Sequence, residues 1–518
     1  PRAPAERVLS TITNCQGECM NVPVDKSSPS RPRRLADVGR WDMETDVAII
    51  GFGGSGAAAA IEASDQGAAV TIFDLASASG GSTALSSAEI YMGGNGGTRV
   101  QRACGLEDST EDMYQYLMAA NGPLADPDKV RAYCEGSLDH FNWLVGLGVP
   151  YKDTLYNQRA IMALTDDCLL YTGSEKAWPY NRVAKPCPRG HNLQVEGDNG
   201  GPLFMKIMTE NVEKRGVKVV FEARALTLIV DDERRVHGVV VRIDQQERCV
   251  RARRGVILCA GGFAMNQEML RKYSPLLLAA SEPIGNPGDT GSGIQMGMAV
   301  GAAAINMHEG FVSLPYYPPS SLTWGILVNA QGQRFVNEDC YHGRVGYYCL
   351  QQPDRRVYLI ANVEDFGDYE KTSYLGAKFV ATAEESVAEL ESELQLPEGT
   401  LQNTIEVFNR NAAEGVDPLF HKTAEWLKPL ELPLAALDCT PGHGAFYPFF
   451  TLGGLDTLPS GEVLTAERTV IQGLYAAGRT ACGVPRTASG YASGISVGDA
   501  TFSGRMAGRA AAMAGAHD

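Results

Sequence analysis

The sequence predicts an α/β protein in which a Rossmann-like domain is interrupted by an inserted α+β domain. Residues 45–74 carry an apolar strand, a glycine-rich turn, a helix and a second strand, the order that begins a doubly wound sheet. Residues 300–436 shift toward aromatic residues and charged helical segments. A chain of 518 residues is long enough for two or three domains. The predicted parts are an N-terminal extension over 1–44, the first domain over 45–300 and 437–518, and the inserted domain over 301–436.

Each element is assigned from its hydrophobic pattern. The apolar runs 45–50 and 67–73 predict buried strands, with an alanine-rich helix between them that ends near Gln66. Alternation over 217–250 predicts an antiparallel meander, and the run 255–260 predicts another buried strand. The predicted later helices cover 128–147, 203–214, 384–395 and 400–415, and a last helix begins near Gly494.

Composition and charge exclude several classes of function. Lys and Arg total 45 against 61 Asp and Glu, and the resulting net charge of −16 repels nucleic-acid phosphates and anionic lipid. The apolar runs are far shorter than the roughly 20 residues of a membrane span. We therefore expect neither a nucleic-acid partner nor a membrane span.

The cysteines and histidines form no recognisable metal site. The 12 cysteines are scattered, and neither they nor the histidines show the spacing of metal ligands, so no metal is predicted. Free thiols indicate a reducing compartment, and no secretory signal is recognised at the start of the chain. The expected location is cytoplasmic.

The strongest motif is the glycine pattern at Gly51, Gly53 and Gly56, which is followed by Asp74 after the second strand. Between a strand and a helix, this pattern is typical of an adenine dinucleotide site. Gly51 permits the tight turn, Gly53 lets the backbone approach a pyrophosphate, and Gly56 lets the helix pack closely on the strand. The carboxylate of Asp74 would accept hydrogen bonds from the ribose. NAD and FAD both fit this motif.

Later glycine-rich segments favour a flavin. Residues 80–83 offer backbone donors to a diphosphate or flavin edge, and residues 257–262 can close over a cofactor. A Gly-Arg pair at 478–479 precedes the loop Ser-Gly-Tyr-Ala-Ser-Gly at 489–494. A helix that begins at Gly494 would point its positive N-terminus at the flavin edge that becomes negative on reduction.

These motifs resemble the FAD-dependent fumarate reductase/succinate dehydrogenase flavoprotein superfamily. The resemblance covers nearly all of residues 45–512, including Gly-Asp-Thr-Gly-Ser-Gly at 288–293 and Gly-Gln-Arg-Phe-Val-Asn-Glu at 332–338. It implies a Rossmann-like FAD-binding domain with an inserted α+β substrate-capping domain. The residues assigned to FAD are Gly51, Gly53, Gly54, Ser55, Gly56, Asp74, Gly81, Ser82, Thr83, Ala260, Gly261, Asp289, Gly478, Arg479, Gly494 and Ile495.

The same resemblance bears on how FAD is attached and reduced. Covalent members attach the flavin through a His shortly after the second glycine pair, whereas Gly81 is followed by Ser-Thr-Ala-Leu-Ser-Ser. Non-covalent FAD is therefore predicted. No second dinucleotide motif follows Ile257, which disfavours NAD(P)H as the direct reductant. The sequence does not identify the electron acceptor.

A dicarboxylate substrate is disfavoured by the residues at two family motifs. Fumarate reductases of the superfamily place a His before a Gly-Gly pair and an Arg in the C-terminal flavin loop. Here Phe449 and Phe450 precede the pair, and the loop at 489–494 carries Tyr and Ser. Arg344 and Arg486 lie near these motifs and could clamp a carboxylate. A fumarate- or urocanate-type C=C reductase therefore stays an alternative.

The loop at 489–494 and residues 337–341 are most similar to 3-ketosteroid dehydrogenases of the Δ4-(5α) type, which introduce the C4–C5 double bond. The resemblance implies an apolar ketosteroid substrate and three catalytic residues. Tyr491 would donate a hydrogen bond to the C3 oxygen, Ser493 would take the C4 proton, and Tyr341 would pass it toward solvent. Ser493 alone separates this type from the C1–C2 dehydrogenases, which stay an alternative. A tyrosine is a poor base at neutral pH unless the pocket lowers its pKa, so we expect an alkaline activity optimum.

Three other segments each carry more than one interpretation. The aromatic residues at 311–324 could wall a sterol cleft or belong to the core of the inserted domain. Tyr91 could border the pocket or pack in the core. Residues 188–191 could form a lid, a domain contact or plain surface.

Overall fold

The computed structural model describes residue 29 and residues 31–159, 163–197, 199–369 and 376–515, so most of the predicted extension over 1–44 lies outside the described residues. The strands are β1 Arg33–Arg34, β2 Met43–Ile50, β3 Val70–Phe73, β4 Ile90–Tyr91, β5 Leu169–Leu170, β6 Gly190–His191, β7 Lys218–Val220, β8 Arg224–Val230, β9 Val236–Ile243, β10 Gln246–Leu258, β11 Glu282–Pro283, β12 Ala304–Ile305, β13 Gly310–Val312, β14 Ile326–Asn329, β15 Val357–Asn362, β16 Lys378–Ala383, β17 Leu434–Asp438, β18 Pro448–Thr451, β19 Gly454–Leu455, β20 Glu462–Leu464 and β21 Val470–Ala476. The helices are α1 Gly54–Asp65, α2 Arg99–Ala103, α3 Thr110–Asn121, α4 Pro127–Gly146, α5 Gly200–Lys214, α6 Gln267–Tyr273, α7 Ser292–Ala299, α8 His342–Leu350, α9 Val387–Glu393, α10 Thr400–Ala413 and α11 Ile495–Met513.

The largest sheet has nine strands and forms the Rossmann-like part of the fold. Its order is β1-β8-β9-β10-β2-β3-β7, with β21 also paired to β10 and β20 paired to β21. The strands β7, β3, β2, β10 and β21 pair in parallel. Residues 47–50 and 256–258 are buried, as parallel strands covered on both faces require. The carboxyl ends of these strands therefore meet at one edge of the sheet.

Two strand predictions need correction. Strands β8, β9 and β10 form the predicted antiparallel meander, but β7, which begins the same stretch, pairs in parallel with β3. The run 255–260 is not a separate strand, because residues 255–258 are the end of β10, which enters the parallel sheet past a bulge. Periodicity could not separate these cases, since β7 has three residues and β10 changes neighbours without a break in the chain.

The inserted part contains a four-stranded antiparallel sheet in the order β14-β15-β17-β16. Helices α9 and α10 share an apolar core with this sheet. Strands β11 and β13 precede this four-stranded sheet in the sequence, and both pair with β18, which follows it. The predicted α/β class is confirmed, and the four later helices and the last helix are found. The domain boundaries at 300 and 436 stay a prediction.

Helices α1 and α11 pack directly against each other. Gly504 and Gly508 of α11 lie on the backbone of α1. A Cβ at either position would be 2.3 Å from a carbonyl oxygen, that of Ser55 or Ala59. The absence of a side chain at both glycines therefore permits the close approach of the two helix backbones. Within the described ranges, no helix is long and apolar enough to cross a membrane.

The contact predicts that Gly504→Ala destabilises the protein. The added methyl would meet the carbonyl of Ser55, and such overpacking costs about 1–3 kcal/mol in the free energy of unfolding. Chemical denaturation of the flavin-loaded protein measures this change. Gly146→Ala is the control, because a Cβ at this exposed helix end has no heavy atom within 4 Å. Equal stability of the two variants would contradict the packing argument.

Candidate active site

A cavity of about 930 Å³ lies at the edge where the parallel strands end. The segments after β2, β3, β10 and β21 all line it, as expected for a ligand site in a sheet of this type. Of the residues assigned to FAD, Gly56 and Ile495 lie outside the lining. The others form it, namely Gly51, Gly53, Gly54, Ser55, Asp74, Gly81, Ser82, Thr83, Ala260, Gly261, Asp289, Gly478, Arg479 and Gly494.

The glycine turn after β2 has the geometry that its motif predicts. Gly51 has a φ of +106°, and a Cβ there would be 2.4 Å from the carbonyl oxygen of Cys259. A Cβ at Gly56 would be 2.0 Å from the carbonyl oxygen of Gly51. By contrast, a Cβ at Gly53 would have no neighbouring atom closer than 3.8 Å. The backbone at Gly53 is therefore open on the side where a pyrophosphate would approach.

Asp74 is fixed on this turn by backbone hydrogen bonds. The backbone N–H of Phe52 donates to Oδ2 at 2.6 Å, and the N–H of Ala76 donates to Oδ1 at 2.7 Å. A carboxylate oxygen has two lone pairs, so each oxygen can accept a further hydrogen bond. The carboxylate is thus held in one orientation at the cavity, with acceptor capacity left for a ligand hydroxyl.

Three further residues assigned to FAD come together across the cavity. Nη2 of Arg479 lies 2.8 Å from Oδ2 of Asp289 and donates to Oγ of Ser82 at 2.8 Å. A Cβ at Gly261 would be 2.2 Å from Asp289, so the glycine permits this arrangement. Nη1 of Arg479 is buried without a hydrogen-bond partner among the described residues. All three side chains line the cavity, so this cluster borders the space that a cofactor would occupy.

Two helix N-termini face the cavity, and neither is capped by its own N-cap residue, although the N–H of Gly54 in α1 donates to Oγ1 of Thr83 at 3.1 Å. The N-caps are Gly53 for α1 and Gly494 for α11, and neither has a side chain that could accept the first N–H groups. Gly494 has a φ of +88°, and a Cβ there would be 2.8 Å from the backbone of Ile90. Free N–H groups and the helix dipole favour negative charge. The cavity therefore fits a cofactor with a diphosphate at α1 and an electron-accepting ring at α11, as FAD has.

The three predicted catalytic residues line the same cavity. Tyr341 is the N-cap of α8, whereas Tyr491 and Ser493 lie in the loop before α11. The hydroxyl oxygens of Tyr341 and Ser493 are 2.6 Å apart and share a hydrogen bond. The hydroxyl of Tyr491 donates to Oγ of Ser496 at 2.8 Å. The fold thus joins a residue of the inserted part to the C-terminal loop.

Burial controls the ionisation of both tyrosines. It raises the pKa of Tyr341 well above the ordinary value, and the hydrogen bond with Ser493 only partly opposes this. Burial likewise raises the pKa of Tyr491, which therefore stays a neutral donor. Tyr341 would be a good base at neutral pH only if the protein lowered its pKa. Burial raises this pKa instead. The alkaline optimum stays the prediction.

Aromatic rings form one wall of the cavity beside Tyr491. The ring centroids of Phe311 and Tyr491 are 4.6 Å apart, and Phe450 stacks on Phe311 at 4.8 Å. Of the aromatic segment at 311–324, Phe311 therefore belongs to the wall. Tyr316 and Tyr317 are buried in the core instead.

Phe450 and Ser496 are site residues that the sequence did not assign. The family motif predicts a His near Phe450 but gives the phenylalanine itself no role. Ser496 accepts the hydrogen bond of Tyr491, and its place five residues after that tyrosine in the same glycine-rich motif is the signal that the sequence offers. No sequence signal indicates the contact of Phe450 with Phe311, because this contact depends on the pairing of β18 with β13.

The other candidate residues lie away from the cavity lining. Nη1 of Arg344 donates to the hydroxyl of Tyr180 at 3.0 Å, and Arg486 pairs with a carboxylate. Tyr91 is a core residue whose hydroxyl donates to Glu175. The surface and lid interpretations of 188–191 are wrong, because Arg189 is fully buried and these residues end in β6. The charge of Arg189 is typical of an exposed residue, but the buried carboxylate of Asp108 neutralises this charge.

His342 lines the cavity next to Tyr341. The two ring centroids are 4.0 Å apart, and burial lowers the pKa of His342 to about 3, so its imidazole is neutral. Within the described ranges, no three His, Cys, Asp or Glu side chains are placed to hold a metal ion. The described cysteines are free thiols.

The fold and the cavity define a flavin-dependent oxidoreductase, and comparison with known proteins gives the same class. Residues 46–495 match the family described as FAD binding domain, and the chain belongs to this family. Its cofactor is FAD. The resemblance to the fumarate reductase and steroid dehydrogenase superfamily is confirmed.

Particular relatives include steroid and fumarate enzymes. The crystal structure of 3-ketosteroid-Δ4-(5α)-dehydrogenase from Rhodococcus jostii, in complex with 4-androstene-3,17-dione, is 43% identical, with a TM-score of 0.87 over 93% of this chain and 99% of that one. A 3-oxo-5-alpha-steroid 4-dehydrogenase of Comamonas testosteroni is 28% identical over 86% of this chain and 94% of that protein. An NADH:fumarate oxidoreductase of Klebsiella pneumoniae is also 28% identical over 90% of this chain, which spans only 47% of that protein.

Proposed function

We propose that this flavoprotein oxidises 3-keto-5α-steroids and introduces the C4–C5 double bond. The observation that carries the proposal is the 2.6 Å hydrogen bond between Tyr341 and Ser493, which lies with Tyr491 in one cavity. The relatives from Rhodococcus jostii and Comamonas testosteroni are named for a ketosteroid dehydrogenation of this kind, which supports the proposal.

The first task of the site is to polarise the substrate ketone. The proton at C4 is acidic only if the C3 oxygen is stabilised as negative charge develops on it. Tyr491 stays protonated because burial raises its pKa, so its hydroxyl can donate to that oxygen. In the structure this hydroxyl donates to Ser496. The ketone oxygen of a bound substrate would accept the hydrogen bond of Tyr491 in place of Ser496.

The second task is to accept the C4 proton. A serine hydroxyl alone is a weak base, so Ser493 needs a partner that receives its proton as it takes the substrate's. Tyr341 is at hydrogen-bond distance for this transfer. Because burial raises the pKa of Tyr341, its ionised form is scarce at neutral pH and becomes more abundant in alkaline solution.

FAD, when bound, supplies the hydride acceptor at N5 of its flavin. We assign the pyrophosphate to the turn at 51–56, the ribose to Asp74 and the flavin edge to the N-terminus of α11. Arg479, which lines the cavity and pairs with Asp289, would contact the same cofactor. No His follows Gly81 closely, so the attachment is proposed to be non-covalent.

The cavity wall favours an apolar ring system over an acid. Phe311 and Phe450 present their rings beside Tyr491. Neither Arg344 nor Arg486 lines the cavity, so neither is placed to clamp a substrate carboxylate. A fumarate- or urocanate-type reduction therefore has less support than ketosteroid oxidation.

Variants of the catalytic residues test this mechanism. Ser493→Ala and Tyr491→Phe should each lower kcat with a 5α-3-ketosteroid by about 10²–10⁴-fold, because one removes the proton acceptor and the other the donor to the ketone. The FAD content should stay that of the wild type. Tyr273→Phe, outside the cavity lining, is the control for loss of a hydroxyl. Wild-type activity in both Ser493→Ala and Tyr491→Phe would refute the mechanism.

The pH dependence tests the role of Tyr341. Below the pKa of Tyr341 the ionised fraction rises about tenfold per pH unit, so kcat/KM should rise steadily between about pH 7 and 9. In Tyr341→Phe the rate should be low and its pH dependence flatter. Stopped-flow reduction of the flavin across this range measures both. A wild-type plateau reached near neutral pH would contradict the raised pKa of Tyr341.

A further inference from the structure

A three-residue segment, Thr172 to Ser174, lies between the two parts of the chain that carry the proton relay. The backbone N–H of Ser493 donates to the carbonyl oxygen of Thr172 at 2.8 Å, and Oγ1 of Thr172 donates to the carbonyl oxygen of Ser493 at 3.0 Å. The backbone N–H of Tyr341 donates to Oγ of Ser174 at 3.0 Å. One short segment therefore holds the backbones of both relay residues.

The segment is itself fixed by buried polar groups. The N–H of Ser174 donates to the hydroxyl of Tyr116 at 2.9 Å, and the N–H of Gly173 donates to Oε2 of Glu175 at 3.0 Å. The hydroxyl of Tyr91 donates to the other oxygen of Glu175 at 2.9 Å. These partners are all buried, so moving the segment would leave unpaired polar groups away from water.

This network contacts a buried ion pair through Tyr91. Arg189 donates to both carboxylate oxygens of Asp108, at 2.8 and 2.7 Å, and both side chains are almost fully buried. Nη1 of Arg189 also reaches the hydroxyl of Tyr91 at 3.5 Å. Breaking such a pair is costly, because it leaves an uncompensated buried charge. Arg189, from the segment 188–191, and Asp108 thus anchor the network behind the relay.

The segment is closely packed at Gly173. A Cβ at Gly173 would be 2.3 Å from the hydroxyl oxygen of Tyr116 and 3.0 Å from Cβ of Ala492. Ala492 lies between Tyr491 and Ser493, so the glycine lets the segment lie directly against the catalytic loop. The segment is thus confined between the buried network and that loop.

We propose that Thr172 and Ser174 are positioning residues for the proton relay, which hold the hydroxyls of Ser493 and Tyr341 at hydrogen-bond distance. The inference rests on the proposed function and deepens it. Tyr341 begins a helix of the inserted part and Ser493 lies in the C-terminal loop, so no element of secondary structure contains both. Proton transfer depends steeply on their separation, and a shift of about 1 Å can cost about 100-fold in rate.

The test compares Thr172→Val and Ser174→Ala with two matched controls. Thr45→Val and Ser274→Ala each remove a buried hydroxyl that donates to a backbone carbonyl outside the cavity lining. Anaerobic stopped-flow reduction of the flavin by a 5α-3-ketosteroid should be about 10- to 100-fold slower in Thr172→Val and Ser174→Ala. FAD content should be unchanged, and Thr172→Ser should restore most of the rate. Rates equal to those of the controls would overturn the inference.

A double-mutant cycle separates positioning from a purely structural role. In a Tyr341→Phe background the relay is already broken, so Ser174→Ala should cost little further rate. A purely structural role predicts the same fold loss in both backgrounds, which would overturn the inference.

A readout without substrate distinguishes this inference from the proposed function. In crystal structures of the flavin-loaded Thr172→Val and Ser174→Ala variants, the 2.6 Å distance between Tyr341 and Ser493 should lengthen beyond hydrogen-bond range, and it should stay the same in the controls. An unchanged distance in both variants would overturn the positioning role. A wild type whose flavin no 5α-3-ketosteroid reduces would overturn the proposed function, and the distance would still decide the positioning.

Discussion

The close packing of α1 and α11 is the contact on which the rest of the site depends. The backbones of the two helices approach each other because Gly504 and Gly508 carry no side chain where α11 lies on α1. Both helices begin at a glycine, and both N-termini consequently face one cavity. The turn before α1 and the loop before α11 lie far apart in the sequence, and the contact between the two helices brings both to one cavity.

The residues proposed to be catalytic pose a different structural problem, because Tyr341 comes from the inserted part. Its hydroxyl must meet Ser493 across the boundary between two parts of the fold. The aromatic contacts among Phe311, Phe450 and Tyr491 join the same parts on the other side of the loop. Apolar packing, a few buried hydrogen bonds and the pairing of β13 with β18 thus hold the two parts together at the site.

Much of the cofactor side could be predicted from the sequence, since each segment there is a local pattern after a strand. Gly51 and Asp74 are examples, because the spacing of a turn and an acid within one βαβ unit fixes their geometry. Thr172 and Ser174 could not be predicted in this way. Their partners lie more than 150 residues away and they belong to no motif. The raised pKa of Tyr341 was equally hidden, because burial follows from packing around the residue rather than from its neighbours in sequence.

The proposed function requires that the flavin takes electrons from a saturated 3-ketosteroid. Anaerobic titration of the flavin-loaded protein with a 5α-3-ketosteroid tests it most directly. We predict stoichiometric bleaching of the visible flavin bands, with the appearance of a 4-ene-3-ketone in the ultraviolet. Bleaching by a 4-ene-3-ketone instead would move the reaction to C1–C2. An unchanged spectrum with both steroids, together with rapid reoxidation of the chemically reduced protein by fumarate or urocanate, would contradict the account.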